Sequence, residues 1–455
     1  MTTILFKNAN IYTPIDKGKA CSGEYQGVLN HFENGAILVK NGIIVDIGNI
    51  DDIKGINDIC NIDNLENEDN ENDNNENEAN ENGETNNIED VSKVNNRENL
   101  NKIDRTIDCQ GKCLIPGFVD PHTHICFAKL RESEFEMRLN GSPYLEILKQ
   151  GGGILSSVRE VLKASEDDLY INTLKHALSA MKLGTTTLEI KSGYGLDTQN
   201  ELKMLQTIDL VHKTTPLDIV ATFLGAHAIP TAYRENPDAY ISLVIEEMLP
   251  AVKAQGIASY CDIFCENGVF SIEQGRKVLE AAISHGLKIK IHADEVHDLG
   301  GAGLAAELCA SSADHLLAAS DVNIEKMAKS GVVATLLPAT AYSLRKPYAR
   351  ARVMIEKNLP VALATDCNPG SSYCESMPFV IGLAVLNMGM TPAEALVAAT
   401  LNSAYAIGMA DRVGSLDIGK QADFLLMDGK SPAILAYHAG VSPVTEVFKR
   451  GERVS

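Results

Sequence analysis

From residue 114 to about residue 390, short apolar runs rich in β-branched residues alternate with longer stretches of helical periodicity. That alternation marks parallel βα units. Eight runs stand out: 114–120 (LIPGFVD), 186–192 (TTLEIKS), 218–226 (DIVATFLGA), 260–265 (YCDIFC), 287–293 (LKIKIHA), 312–316 (SADHL), 331–338 (GVVATLLP) and 361–366 (VALATD). The intervening helices signal their own ends. Ser271 and Gln274 form a capping box, and Gly286 stops the helix that follows it. Thr391, Pro392 and Glu394 occupy N-cap, N1 and N3 of a helix predicted over 391–408. Eight parallel strands with seven crossovers predict an α/β fold of the (β/α)8 TIM-like barrel type, whose usual size of about 250 residues suits this stretch. An open doubly wound sheet is the competing topology. No complete G-x-G-x-x-G follows any strand, and Gly193 and Gly195, lacking the third glycine, read as a turn.

The two ends of the chain read as β. In the first fifty residues ILFKNANIY has strand composition, and AILVK and IIVDIG flank Asn41-Gly42, the strongest short-range hairpin signal. After about residue 408, VGSLDIGKQADFLLMD and VTEVFKRGERV are β-rich again. These ends predict a small β-sandwich-like domain assembled from 1–113 and 409–455 around a barrel at 114–408. Inside the first part, residues 61–101 form an Asn/Asp/Glu tract with almost nothing apolar to bury, which predicts a disordered insert.

Composition narrows the partners. The 455 residues carry a formal net charge of −21, of which residues 61–100 supply −11 through 13 acidic against 2 basic side chains. The remainder shows no basic stripe, so the term that drives binding to phosphate backbones or anionic lipid is missing, and neither nucleic acid nor membrane is expected as a partner. The N-terminal MTTILFKNANIYTP lacks the pattern of a secretion signal or a membrane span, so a cytoplasmic location is expected. The ten cysteines form no CxxC pair, which argues against a structural zinc site and a disulfide framework and for buried, reduced thiols.

Asp120-Pro121-His122-Thr123-His124 closes the first predicted barrel strand. Residues i and i+2 of a strand share a face, so His122 and His124 can share one ion. The pair alone fits two packed core histidines almost as well. Position adds weight, because barrel active sites lie at the C-terminal mouth of the strands. His227, Glu266, His292, Glu295, His315 and Asp366 all fall at that end of later strands. His122, His124, His292 and Asp366 give a His3Asp set for one divalent ion with a coordination position left open, the mark of a catalytic site. Asp366 can also accept a proton, and His315 and Glu295 are the neighbouring acid/base and orienting groups. His31, His176, His212, His285, His297 and His438 read as surface or packing histidines. Arg131 can grip a substrate carboxylate or pair at the surface with Glu132 or Glu134, and the residues alone favour the surface pair. Tyr144 and Tyr194 fit rim packing or hydrogen bonding equally. Gly151-Gly152-Gly153 fits either an anion site at a helix N-terminus or a plain loop.

The stretches PGFVDPHTHICFA, GGGILSSVR, EIKSGYGLD, TFLGAHAIP, KIHADEVHD, SADHL, LPATAYSL and ATDCNPGSS resemble the amidohydrolase superfamily, nearly continuously from residue 114 to about 425. Within it the resemblance is to members that hydrolyse the ring amide of 4-imidazolone-5-propanoate to N-formimidoyl-L-glutamate, the third step of histidine degradation, with zinc or iron. It implies a barrel with a small β domain from both termini, and suggests a homodimer acting on a small molecule. It implies His122, His124, His292 and Asp366 as metal ligands and His315 as a catalytic group, beside the acid/base roles read above for Glu295 and Asp366. Substrate contacts are implied for Arg131, Tyr144, Tyr194, His227, Glu295, Asn368, Gly370 and Ser371. The departure is the acidic insert, which bacterial members lack as far as the resemblance goes. Two rivals stand beside this reading: a deaminase of the same superfamily acting on an amino-substituted heterocycle, and a non-catalytic barrel binding partners through its insert. The second has no reason to keep four ligands.

Overall fold

The computed structural model describes residues 2–53, 103–141 and 152–455; the acidic stretch at 61–101 and Tyr144 lie outside the described residues. Strands β1 (Thr3–Pro14), β2 (Leu29–Lys40), β3 (Ile43–Asn49), β4 (Arg105–Asp108) and β5 (Cys113–Pro116) come from the N-terminal part. Eight barrel strands follow: β6 (Phe118–Asp120), β7 (Thr185–Lys191), β8 (Asp218–Ala226), β9 (Tyr260–Cys265), β10 (Lys288–Ala293), β11 (Ser312–His315), β12 (Val333–Leu336) and β13 (Val361–Leu363). Then come β14 (Phe424–Met427), β15 (Val444–Lys449) and β16 (Glu452–Arg453).

The two chain ends meet in one sheet of order β16-β15-β14-β5-β1-β2-β3, with β4 also on β1. Strand β14 runs antiparallel to β5, pairing Phe424 with Pro116. Asn41 and Gly42 have φ of 52° and 82°, as a two-residue type I′ hairpin turn between β2 and β3 requires. The sheet curls. Phe6 on β1 and Phe448 on β15 are three strand spacings apart, about 14 Å on a flat sheet, yet their ring centroids are 5.2 Å apart. Phe424 stands edge-on to Phe6 and stacks on Phe448, so an aromatic trio fills the fold of the sheet. Lys449 Nζ joins this sheet to the barrel, 2.7 Å from Asp218 at the start of β8.

The second sheet holds β6 to β13 in sequential order, every pair parallel. All seven residues of β7 are buried, as in a strand covered on both faces. The seam between the first and eighth strands closes just past the strand ends, where Asp366 N–H donates to His122 O (3.1 Å) and His124 N–H to Cys367 O (2.9 Å). The barrel is therefore closed by bonds that set three of the four candidate ligands side by side.

Two elements differ from the pattern read in the sequence. The first run, 114–120, divides between the sheets, with β5 in one and β6 in the other. Gly117 is the joint, and a Cβ there would lie 2.3 Å from Thr186 Oγ1 and 2.5 Å from its Cγ2. The helix expected over 391–408 is two, Pro392–Ala398 and Leu401–Ala406. They part at Thr400 (φ −132°, ψ −89°), where the Ala399 carbonyl accepts Val119 N–H from β6 instead of continuing the helix. Both expected capping boxes are present, at Ser271/Gln274 and Thr391/Glu394. The nine described cysteines are free, and seven of them are buried. No described helix is long and apolar enough to cross a membrane.

Gly117→Ala should lower stability by about 1–3 kcal/mol through overpacking. Adding Thr186→Ala should recover most of that loss in the urea midpoint. A single variant as stable as the parent would show that the joint has room to spare.

Candidate metal centre and active site

Alternation along β6 and the residues after it sends His122 and His124 to the barrel interior, and His292 arrives from β10. His124 Nε2 lies 3.1 Å from His122 Nε2 and 3.2 Å from His292 Nε2. Asp366 Oδ1, beyond β13, is 3.5 Å from the Nε2 atoms of both His122 and His124. Ligand nitrogens 2.0–2.1 Å from a tetrahedral ion stand about 3.3 Å apart, so this spacing fits one divalent cation. His122 Nδ1 is hydrogen-bonded to Asp314 at 2.6 Å, which leaves a lone pair on its Nε2, and His292 Nδ1 faces Asp262 at 3.0 Å as an ion pair outside hydrogen-bond geometry. The three Nε2 atoms and Asp366 Oδ1 together form a cluster that could hold one metal ion.

Burial, reinforced by the charges of Lys191 and the other histidines, holds His122 well below the usual imidazole range; burial and His227 do the same for His124. Both are thus neutral, the form that ligates a metal. Burial would lower His292 too, but Asp262 reverses it and raises that ring. Burial raises the Asp366 carboxyl, partly offset by His315 and by Thr340, whose hydroxyl donates to Oδ2 at 2.5 Å. Oδ1 is left facing the histidines.

His315, which ends β11 with φ of 78°, joins His122 and Asp366 in a group whose ligand atoms lie within 4.8 Å of one another. Its Nδ1 is 3.9 Å from Glu295 Oε1. Asp294 and Asp366 also sit in the left-handed region, at φ 49° and 52°. Such backbone costs about 1–3 kcal/mol per residue and collects at functional sites.

The rim gathers most of the remaining expected residues. His227 stacks on His124, with centroids 5.0 Å apart, and Tyr194 leans on both. His227 Nδ1–H donates to Gly193 O (3.0 Å), and burial with the neighbouring His292 pushes this ring down to about 3. Nε2 of His227 therefore presents a lone pair. Arg131 is 11% exposed; its Nε and Nη1 have no hydrogen-bond partner among the described residues. The surface pair expected with Glu132 or Glu134 is not formed as a hydrogen bond. Glu134 Oε2 is 3.9 Å from Arg131 Nε, and the Glu134 carboxylate instead accepts Gly153 N–H at 3.1 and 3.2 Å. That contact also settles the glycine turn. Gly153 caps the helix Ile154–Lys163, and the anion at its amide is the chain's own Glu134.

Asn368, Gly370 and Ser371 form one loop just past Asp366. Asn368 Oδ1 accepts from the amides of Gly370 (2.9 Å) and Ser371 (2.8 Å), and its Nδ2 donates to Asp366 O (2.8 Å). The amide is thus occupied within its own loop. A Cβ on Gly370 would lie 1.4 Å from Arg131 Nη2, so the glycine is the seat of the guanidinium. Glu266 likewise serves a loop, accepting from Val296 N and His297 N beside Glu295. Of the packing histidines, His176 is buried with Nδ1 2.8 Å from Glu375.

Sequence reasoning missed the layer beneath the ligands. Lys191 Nζ lies 2.7 Å from Glu189 and 2.9 Å from Asp262, and Lys290 Nζ lies 3.3 Å from Asp314; all five side chains are fully buried. It also missed Glu201, whose buried carboxylate accepts the amides of Gly193, Gly195 and Leu196 and so fixes the loop of Tyr194.

The model of the Amidohydrolase family matches residues 113–454. The imidazolonepropionase of Desulfotalea psychrophila is 60% identical over 454 residues, covering 100% of both chains, a span that takes in residues 61–101. Those of Syntrophobacter fumaroxidans (56%, 99% of this chain and 96% of that one) and Clostridium tetani (45%, 99% and 98%) are also similar. Among solved structures, a zinc-bound adenosine deaminase from Xanthomonas campestris superposes with TM-score 0.67 at 18% identity, covering 99% of this chain and 92% of that one. A 5-methylcytosine deaminase from Klebsiella pneumoniae does so with TM-score 0.67 at 14%, covering 99% and 98%. At such identities these two speak for the fold, whereas the family match and the full-length relatives speak for descent: the chain belongs to the amidohydrolase family, among the imidazolonepropionases.

Proposed function

We propose that this protein hydrolyses the ring amide C–N bond of 4-imidazolone-5-propanoate, giving N-formimidoyl-L-glutamate, with zinc or iron held by His122, His124, His292 and Asp366. The observation that carries this reading is the pairing of four convergent ligand atoms with a nearly buried guanidinium that has donors to spare. A bound divalent ion supplies Lewis acidity, polarising a carbonyl and making water a nucleophile near neutral pH.

The chain's own groups do the rest. Arg131 holds the propionate through Nε and Nη1. His227 Nε2 accepts a ring N–H, its other nitrogen being fixed on Gly193 O. Asp366 Oδ1 takes the proton of the attacking water, while Thr340 keeps Oδ2 turned away. His315 donates to the oxygen that gains charge at the ring carbonyl, and Glu295 orients His315 and carries a proton to the departing ring nitrogen. One water is consumed. The carbonyl carbon gains a C–O bond, loses its C–N bond and becomes a carboxylate. Tyr194 packs against His124 and His227 and narrows the mouth.

Incubation of the metal-loaded protein with the imidazolone should abolish the substrate's ultraviolet absorbance without ammonia release; ammonia would mark a deaminase instead. Charge-assisted hydrogen bonds are worth about 1.5–3 kcal/mol, so Arg131→Ala should lower kcat/KM roughly 10- to 150-fold, chiefly through KM. Gly370→Ala should raise KM in the same direction with metal content unchanged, because it displaces Arg131 without touching a ligand. An unaltered KM in both variants would remove the carboxylate assignment. His292→Ala should lose metal by elemental analysis together with turnover, and full occupancy in that variant would take His292 out of the ligand set.

A further inference from the structure

Beneath the ligands, the barrel is filled by charge where apolar layers are the rule. Glu189 and Lys191 come from β7, Asp262 from β9, Lys290 from β10 and Asp314 from β11, and none of these side chains reaches solvent. Their contacts are not equivalent. Asp314 Oδ2 faces His122 Nδ1 (2.6 Å) on one side and Lys290 Nζ (3.3 Å) on the other, while Ser312 Oγ donates to its Oδ1 at 2.6 Å. Asp262 Oδ2 faces His292 Nδ1 (3.0 Å) and Lys191 Nζ (2.9 Å), while its Oδ1 accepts from the amides of Ile263 (2.7 Å) and His292 (3.2 Å). Glu189 meets both lysines, at 2.7 and 3.9 Å, and the Thr123 amide, but no histidine.

We propose that Asp262 and Asp314 are positioning residues for the metal centre: each faces the Nδ1 edge of one ligand imidazole and so holds that ring's rotation with Nε2 aimed at the ion, and each is itself seated against a buried lysine. The inference rests on the metal-dependent reading above. Its physical basis is twofold. A carboxylate on the far nitrogen fixes the ring's rotation and raises its basicity, and loss of such a partner typically weakens metal binding by about 10- to 100-fold. Carboxylates buried in this dry interior need an opposite charge in contact, and Lys191 and Lys290 supply it to Asp262 and Asp314. His124, whose Nδ1 has no partner among the described residues, is held instead by its stack on His227.

The test is zinc affinity of the metal-free full chain, measured by competition with a chromophoric chelator, for the parent and for Asp314→Asn, Asp262→Asn and Glu189→Gln. Asparagine keeps the shape and an acceptor but removes the charge. The two aspartate variants should bind zinc about 10- to 100-fold more weakly, and Glu189→Gln, which disturbs the same lysines, should stay within about threefold of the parent. Equal weakening in all three would reduce the layer to a general structural network, and unchanged affinity in the aspartate variants would refute the positioning role outright. Because Asp314→Asn leaves a buried ammonium exposed to one fewer partner, Lys290→Met is added to it. The double variant should regain the thermal midpoint of the metal-free parent without regaining zinc affinity; recovery of both would overturn the proposal. A parent that binds no zinc would refute the metal centre itself, a result distinct from any of these.

Discussion

Three imidazole nitrogens meeting edge to edge inside a barrel, with contacts of 3.1–3.2 Å and Asp366 Oδ1 beside them, are the constraint to which the rest of the molecule answers. A cluster with this spacing fits one divalent cation. The seam that closes the barrel puts Asp366 opposite His122 and His124 through two backbone hydrogen bonds, so closure of the fold and assembly of the centre are one event. The left-handed backbone at His315, Asp294 and Asp366 is tolerated for the same reason, since the strands on either side over-determine where those residues sit.

The clustered side chains at the candidate metal centre, and the fold that carries them, were legible because two simple rules act together. Strand alternation put His122 and His124 on one face, and the barrel's habit of building sites at strand C-termini selected His292, His315 and Asp366 from among eleven histidines and many acids. The charged layer below was legible by the same rule and was not read. Glu189 and Lys191, Lys290 and His292, and Ser312 and Asp314 are i,i+2 pairs, each within one strand of the parallel barrel. A charged residue of inward parity in a strand otherwise buried throughout has nowhere to go but the barrel axis. The residue types hid it, because KIKIHA and TTLEIKS scan as ordinary amphipathic strands facing water on one side.

Gly370 and Arg131 show what sequence cannot supply. Their 1.4 Å approach, measured from a Cβ the glycine lacks, joins positions 239 residues apart and depends on the loop conformation that Asn368 imposes. Nothing local distinguishes that glycine from any turn glycine. The split of the first apolar run at Gly117 is similar: LIPGFVD reads as one strand because its apolar pattern is unbroken, and only the crowding of Thr186 against the joint shows that the chain changes sheets there.

The acidic side chains around the mouth fall into two kinds, and the distinction explains how an acidic protein can take an anionic substrate. Glu134, Glu201, Glu266 and Asp294 accept backbone amides of the loops they serve, so their charge is met by N–H dipoles a few ångströms away. Asp262 and Asp314 are met by lysines and by the ligand histidines. Arg131 keeps two donors without a hydrogen-bond partner among the described residues, and its charge acts on Tyr194 and His227. A propionate approaching the mouth therefore meets a guanidinium with free donors, paired only loosely with Glu134 at 3.9 Å, and the net charge of the chain as a whole, much of it in the stretch 61–100, does not by itself decide whether it binds.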